Sequence, residues 1–70
     1  MTLNDILYKI YGQQNIIVYE KLNRKENLYN GKAYYIGNYE QIRQRKISSI
    51  YAVDVIENGI KIPTIMIEVE

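Results

Sequence analysis

The chain contains no cysteine, histidine, tryptophan or phenylalanine. Without cysteine it has neither a disulfide framework nor a thiolate metal ligand. Without histidine it lacks the commonest general base and the commonest metal-binding side chain. Proline occurs once, and the four glycines stand apart at Gly12, Gly31, Gly37 and Gly59. Neither a phosphate-cradling loop nor a dinucleotide fingerprint can be built from them. No apolar run approaches the roughly 20 residues of a membrane-spanning helix. Asn4, Asp5 and Lys9 interrupt the first twelve residues, so no signal peptide is expected.

What is present is thirteen isoleucines and eight tyrosines in 70 residues, with a hydrophobic content of 47%. That is the composition of one small globular domain, residues 1–70, and not of a disordered chain. A chain this short buries only about 60% of the surface that its unfolded form exposes. A core of that size supplies roughly 3–5 kcal/mol, and disulfides, metals or oligomerisation usually supplement it. The first two routes are closed, so self-association is expected. The overall reading is a soluble, cytoplasmic protein.

The net charge of +1 is unevenly distributed. Residues 21–46 hold Lys21, Arg24, Lys25, Lys32, Arg43, Arg45 and Lys46 against Glu26 and Glu40. Residues 47–70 hold Lys61 against Asp54, Glu57, Glu68 and Glu70. Duplex-binding proteins usually carry a broad basic surface, and the acidic last third argues against that partner. A basic middle suits a small anionic ligand or an acidic partner. It is equally compatible with a solvated loop region.

Thr2 and Asp5 have capping-box spacing, and Leu3, Ile6, Leu7, Ile10 and Tyr11 follow as one helical stripe that Gly12 ends. Ile16 to Leu22 reads as a strand, with Ile16, Val18 and Leu22 on one face and Ile17, Tyr19 and Lys21 on the other. A polar turn is expected at Asn23 to Glu26. An extended segment, Asn27 to Ile36, follows. Asn30-Gly31 within it is either a turn or a bulge, and the bulge is preferred. Asn38 with Gln41 repeats the capping spacing, so residues 39–45 are expected to be a short helix. Ile47 to Ile56 and Ile60 to Val69 form a hairpin about Glu57-Asn58-Gly59. Pro63 marks an edge or a bulge.

These elements define an α+β fold in α-β-β-α-β-β order. The expected architecture is a four-stranded, mostly antiparallel sheet with the N-terminal helix on one face. The second face is also apolar. Tyr51, Val53 and Val55 lie on it while Ile50, Ala52 and Ile56 lie on the first, and one short helix cannot cover both. An interface at Tyr51, Val53 and Val55, with another copy of the chain or with a partner, is therefore expected.

Chemistry by this inventory is poorly supported. Ser48 and Ser49 have no histidine to activate them, and the few carboxylates show no metal-ligand spacing. The chain reads as non-catalytic, with no cofactor and no metal. Tyr29, Tyr34, Tyr35 and Tyr39 fall within the basic segment, near Arg43, Arg45 and Lys46. Tyrosine with arginine suits base stacking and phosphate binding, and it equally suits protein interfaces and plain packing. The candidate ligand set is Tyr34, Tyr35, Tyr39, Arg43, Arg45 and Lys46. The competing reading of Arg43 to Lys46 is a helix end that complements the macrodipole. Tyr8, Tyr11, Tyr19 and Tyr51 are expected to fill a core that has no Phe or Trp.

Thr2-Leu3-Asn4-Asp5-Ile6-Leu7, Ile16-Ile17-Val18-Tyr19, Leu28-Tyr29-Asn30-Gly31-Lys32-Ala33, Lys46-Ile47-Ser48-Ser49-Ile50 and Ile65-Met66-Ile67-Glu68-Val69 together resemble small accessory proteins. Those proteins are encoded by phages, prophages and conjugative elements of low-GC Gram-positive bacteria. Ile, Lys, Asn and Tyr make up 34 of the 70 residues, in keeping with AT-rich coding. The resemblance implies a protein that counters host defence. One form would be a homo-oligomer sequestering a nucleotide-type immune signal. Another would be an inhibitor or adaptor that binds a host defence protein, as anti-CRISPR proteins do. A third reading is a small phage structural or nucleic-acid-associated component. No functional residue is carried over from the resemblance.

Overall fold

The computed structural model describes the main chain of residues 1–70 and every side chain except that of Asn38. Its elements are α1 (Leu3–Leu7), β1 (Asn15–Glu20), β2 (Asn23–Lys32), a 3-10 segment (Ala33–Asn38), α2 (Glu40–Arg43), β3 (Ile47–Glu57) and β4 (Ile60–Val69). The four strands form one sheet in the order β2-β1-β4-β3. Both hairpins are antiparallel, and the central β1–β4 pair is parallel. The α+β class, the mostly antiparallel sheet and the N-terminal helix on one face are those expected from the sequence.

The helix α1 is shorter than its apolar stripe suggested. The Asp5 carboxylate accepts from the Thr2 N–H at 2.9 Å, which fixes the start. That bond, and then the Thr2 hydroxyl, hold the Asp5 carboxyl below its usual pKa. The regular helix ends at Leu7, and Ile10 still packs at the edge of the core through a turn. Tyr8 and Tyr11 are 83% and 75% exposed, so neither fills the core. Tyr8 does not share the helical stripe, and Tyr11 lies past the end of the helix.

The first hairpin turns at Lys21-Leu22, not at Asn23 to Glu26, and Leu22 is 96% exposed at its tip. Leu22 therefore does not share a sheet face with Ile16 and Val18. The strand β2 begins at Asn23 and stops at Lys32, where the sequence had suggested Asn27 to Ile36. Its register slips near Leu28, since Val18 pairs with Tyr29 but Tyr19 pairs with Asn27. Asn30-Gly31 is thus neither a turn nor the bulge. Gly31 is required by close approach, because a β-carbon there would stand 3.1 Å from the Tyr29 hydroxyl oxygen.

The cap expected at Asn38 depends on a side chain outside the described residues. The helix α2 is a single turn, entered from Tyr39. The second hairpin matches expectation. Asn58 and Gly59 have φ of 54° and 78°, the two left-handed positions of a type I′ turn. Pro63 lies on the central strand β4, yet β1 pairs only from Thr64 onward. Its carbonyl accepts from Gln14 Nε2 at 2.9 Å, so its hydrogen-bonding edge faces away from β3. The missing N–H therefore falls where β4 has no neighbouring strand.

One face of the sheet holds the core. Leu3, Ile16, Val18, Ile67 and Val69 are fully buried, and Ile36 nearly so. Ala33 to Lys46 carries the chain across this face from the β2 edge to the β3 edge. The opposite face carries Ile17, Met66 and Tyr51 in one cross-strand row, and Val53 beside Thr64 in the next. Among the described residues no helix lies over it.

Candidate functional site

The basic middle of the sequence does not form one basic surface in the fold. The Arg45 guanidinium pairs with Glu20 at 2.7 Å and also donates to the main-chain oxygen of Glu70 at 2.8 Å. Arg24 pairs with Glu68 at 3.0 Å. Two bases of the middle segment are thus matched to acids of the two ends, and the charge asymmetry seen along the chain is partly cancelled in space.

Arg43 has a different surrounding. Its Nε and Nη2 donate to Asn4 Oδ1 at 3.1 and 2.6 Å, and its Nη1 donates to the Gly37 carbonyl at 3.3 Å. These bonds tie α2 to α1 and to the 3-10 segment. They fix the guanidinium at the rim of a groove of about 440 Å³. The remaining donors of the planar fork stay available to a further acceptor.

The groove runs between α1 with its following turn and the 3-10 segment. Its floor is apolar: buried Ala33 and Ile36 with half-buried Leu7 and Ile10. Two tyrosines flank it, Tyr8 at 83% and Tyr34 at 73% exposure. Tyr34 is held edge-on against Tyr35, with ring centroids 5.2 Å apart. The volume is within the range of small-molecule sites. The sign of charge at the rim is mixed, because Glu40 shares the adjoining hollow with Arg43, Asn4 and Gln44.

Of the six residues in the candidate ligand set, the fold brings Tyr34 and Arg43 to this groove, and Tyr35 does not line it but lies edge-on to Tyr34. Tyr39 lies elsewhere, edge-on to Tyr29 at 5.2 Å. Arg45 and Lys46 do not line the groove, and Lys46 is exposed. Tyr29 is buried, and its hydroxyl donates to the Lys32 carbonyl at 2.6 Å. Burial, then the neighbouring Tyr39 and Tyr35 hydroxyls, push its pKa up. Tyr8 was missed as a groove residue. The signal for it was in the sequence: Tyr8 lies outside the stripe formed by Leu3, Ile6, Leu7 and Ile10.

The bare face of the sheet has its own polar centre. The Tyr19 and Tyr51 hydroxyls are 2.9 Å apart, beside the buried Glu68 carboxylate. Burial, the Tyr51 hydroxyl and Glu68 together push the Tyr19 pKa up to about 12. Tyr19 is buried as expected, whereas Tyr51 is 46% exposed and does not fill the core. Val53 and Val55 are half-buried on the same face.

Among the described residues there is no group of three or more His, Cys, Asp or Glu side chains that could hold a metal ion. No helix among them is long and apolar enough to cross a membrane. Comparison with protein-family models, with curated proteins and with solved structures gives no match to this chain.

Proposed function

We propose that the chain is a non-catalytic binding protein that works as a homo-oligomer and takes a nucleotide-type anion in the groove beside Arg43. The observation that carries this reading is the groove itself, with an apolar floor, two exposed tyrosine rings and one fixed guanidinium. A flat heteroaromatic base lies against tyrosine faces, and a phosphate accepts from a held arginine fork. The apolar sheet face bearing Tyr51, Val53 and Val55 supports the oligomer, because a lone copy this small has little core to stabilise it. The resemblance to phage and mobile-element accessory proteins supplies the setting, which is sequestration of a nucleotide immune signal in the host cytoplasm.

The test is calorimetric titration of the protein with cyclic dinucleotides and ADP-ribose derivatives. Tyr8→Ala and Tyr34→Ala remove exposed rings and should each weaken binding about tenfold or more, as loss of a stacking contact does. Their melting behaviour should stay that of the parent. Absence of heat with all of these ligands overturns the ligand assignment.

A second reading is an inhibitor or adaptor of a host defence protein. It is favoured by the internal engagement of Arg43 and Arg45, which reduces the positive charge available to a free nucleotide. Co-purification from a defence-bearing host separates the two, since a stable one-to-one complex with a host protein and no nucleotide binding favours this one.

A further inference from the structure

The two edges of the sheet are unlike. The β2 edge carries Arg24, Lys25, Glu26 and Lys32 and is broken by register slips. Charge and irregularity of this kind are how edge strands avoid pairing with other chains. The β3 edge has neither protection over most of its length. From Ile47 to Val53 it bears no charge, and beyond the irregularity at Ile47/Ser49 it pairs regularly with β4 down to the turn.

The helical layer also stops short of β3. Ile50 and Ile56, on the helix side, are 50% and 67% exposed, and Tyr51 on the opposite side is 46% exposed. Stacking two sheets face to face would cover Tyr51 and leave Ile50 and Ile56 in water. Extending the sheet sideways places neighbours beside all three.

We propose that the free edge of β3 pairs antiparallel with β3 of a second copy, about a two-fold axis between the two Val53 residues, to make one continuous eight-stranded sheet. This deepens the homo-oligomer part of the proposed function and rests on it.

The register follows from the hairpin. A two-residue turn closes on Glu57 and Ile60, so Glu57, Val55, Val53 and Tyr51 direct their main-chain groups towards β4. Ile50, Ala52, Asp54 and Ile56 therefore direct theirs outward. Pro63 gives an independent check, since it pairs with Asp54 and its carbonyl faces Gln14, away from β3. The start of the edge is already taken, because the Ile47 N–H donates to the Met1 carbonyl at 2.9 Å.

Centring the pair on Val53 sets Ile50 opposite Ile56 of the second copy, Tyr51 opposite its Val55, and Val53 opposite itself. Centring on Ala52 would set Ile50 against Asp54 and Ile47 against Glu57. Centring on Tyr51 would require the Lys46–Ile47 stretch that Met1 and Thr2 already hold. The Val53 register sets the larger apolar side chains against one another on both faces and places Asp54 only against the small Ala52, and it adds about eight main-chain hydrogen bonds across the join.

The experiment combines mass measurement with single-cysteine cross-linking, which is clean because the chain has no cysteine of its own. The parent should sediment as a dimer at micromolar concentration. Ala52→Pro removes an outward N–H without touching the β4 ladder and should give a folded monomer. Met66→Lys, on the bare face away from the edge, should remain a dimer. Val53→Cys should form an intermolecular disulfide on mild oxidation about tenfold faster than Val55→Cys or Met66→Cys, because opposed residues at a non-hydrogen-bonded position have closely spaced Cα atoms.

A monomeric parent overturns the oligomer reading and this proposal together. A dimeric parent with a dimeric Ala52→Pro and a monomeric Met66→Lys overturns the edge pairing alone and points to face-to-face stacking. Should Ala52→Pro unfold, the cross-linking decides, and equal rates at the three cysteine positions overturn the proposal.

Discussion

The Tyr29 ring lies across Gly31, and its hydroxyl oxygen would be 3.1 Å from any β-carbon placed there. The same hydroxyl donates to the Lys32 carbonyl at 2.6 Å, so the ring has little freedom to retreat. Gly31→Ala should therefore destabilise the fold by about 1–2 kcal/mol, in the range of overpacking changes. Tyr29→Phe removes the nearest atom, and Gly31→Ala should cost less in that background. A double-mutant cycle in denaturant melts measures the coupling, and strict additivity would contradict the contact.

Leu3 is fully buried, against a core formed by few other side chains. Leu3→Ala should cost about 2–5 kcal/mol, comparable with the roughly 3–5 kcal/mol that a single core of this size supplies. The variant should be largely unfolded at low protein concentration by circular dichroism. Leu22→Lys, at a side chain 96% exposed, should leave the melting temperature unchanged.

Arg45 is engaged with Glu20 and with the Glu70 main chain. With side chains 30% and 36% exposed, the ion pair itself contributes on the order of 0.5 kcal/mol. Arg45→Gln should lower stability slightly and leave nucleotide affinity as it was. A large loss of affinity with unchanged stability would return Arg45 to the ligand site.

Tyr19 holds its proton up to about 12, whereas an unfolded tyrosine titrates near 10. Below about pH 10 both states are protonated, and the full stability is present. Between about pH 10 and 12 only the unfolded state releases the proton, so stability falls as pH rises and levels off above that window. Denaturant midpoints across this range should fall less steeply for Tyr19→Phe than for the parent.

Much of this architecture was legible in the residues. Alternation in Thr64 to Val69 and in Ile50 to Ile56 assigned the sheet faces, and Asn58-Gly59 fixed the second hairpin. The errors arose where local pattern and tertiary context diverge. Leu22 continues an apolar strand in sequence, but β1 is left by a two-residue turn, so Leu22 falls at its tip. Asn30-Gly31 carries the commonest hairpin signature, but a tyrosine two residues earlier needs the space. For the site, the density of tyrosine and arginine was visible while the partners were not. Nothing local to Arg45 announces Glu20, and nothing local to Arg43 announces Asn4. Only the crossing of Ala33 to Lys46 over the sheet brings those pairs together.

The parallel contact between β1 and β4 joins Asn15 to Thr64 and Glu20 to Val69. The two middle strands are thus far apart in the sequence, and a growing polypeptide has no complete sheet centre until β4 emerges. Folding on the ribosome cannot proceed piecemeal from the amino end, and long-range pairing of this kind is slow. Trimming Thr64 to Val69 should leave the β1–β2 hairpin without a centre to pack on, so a shortened version should be a protease substrate in place of a weaker binder.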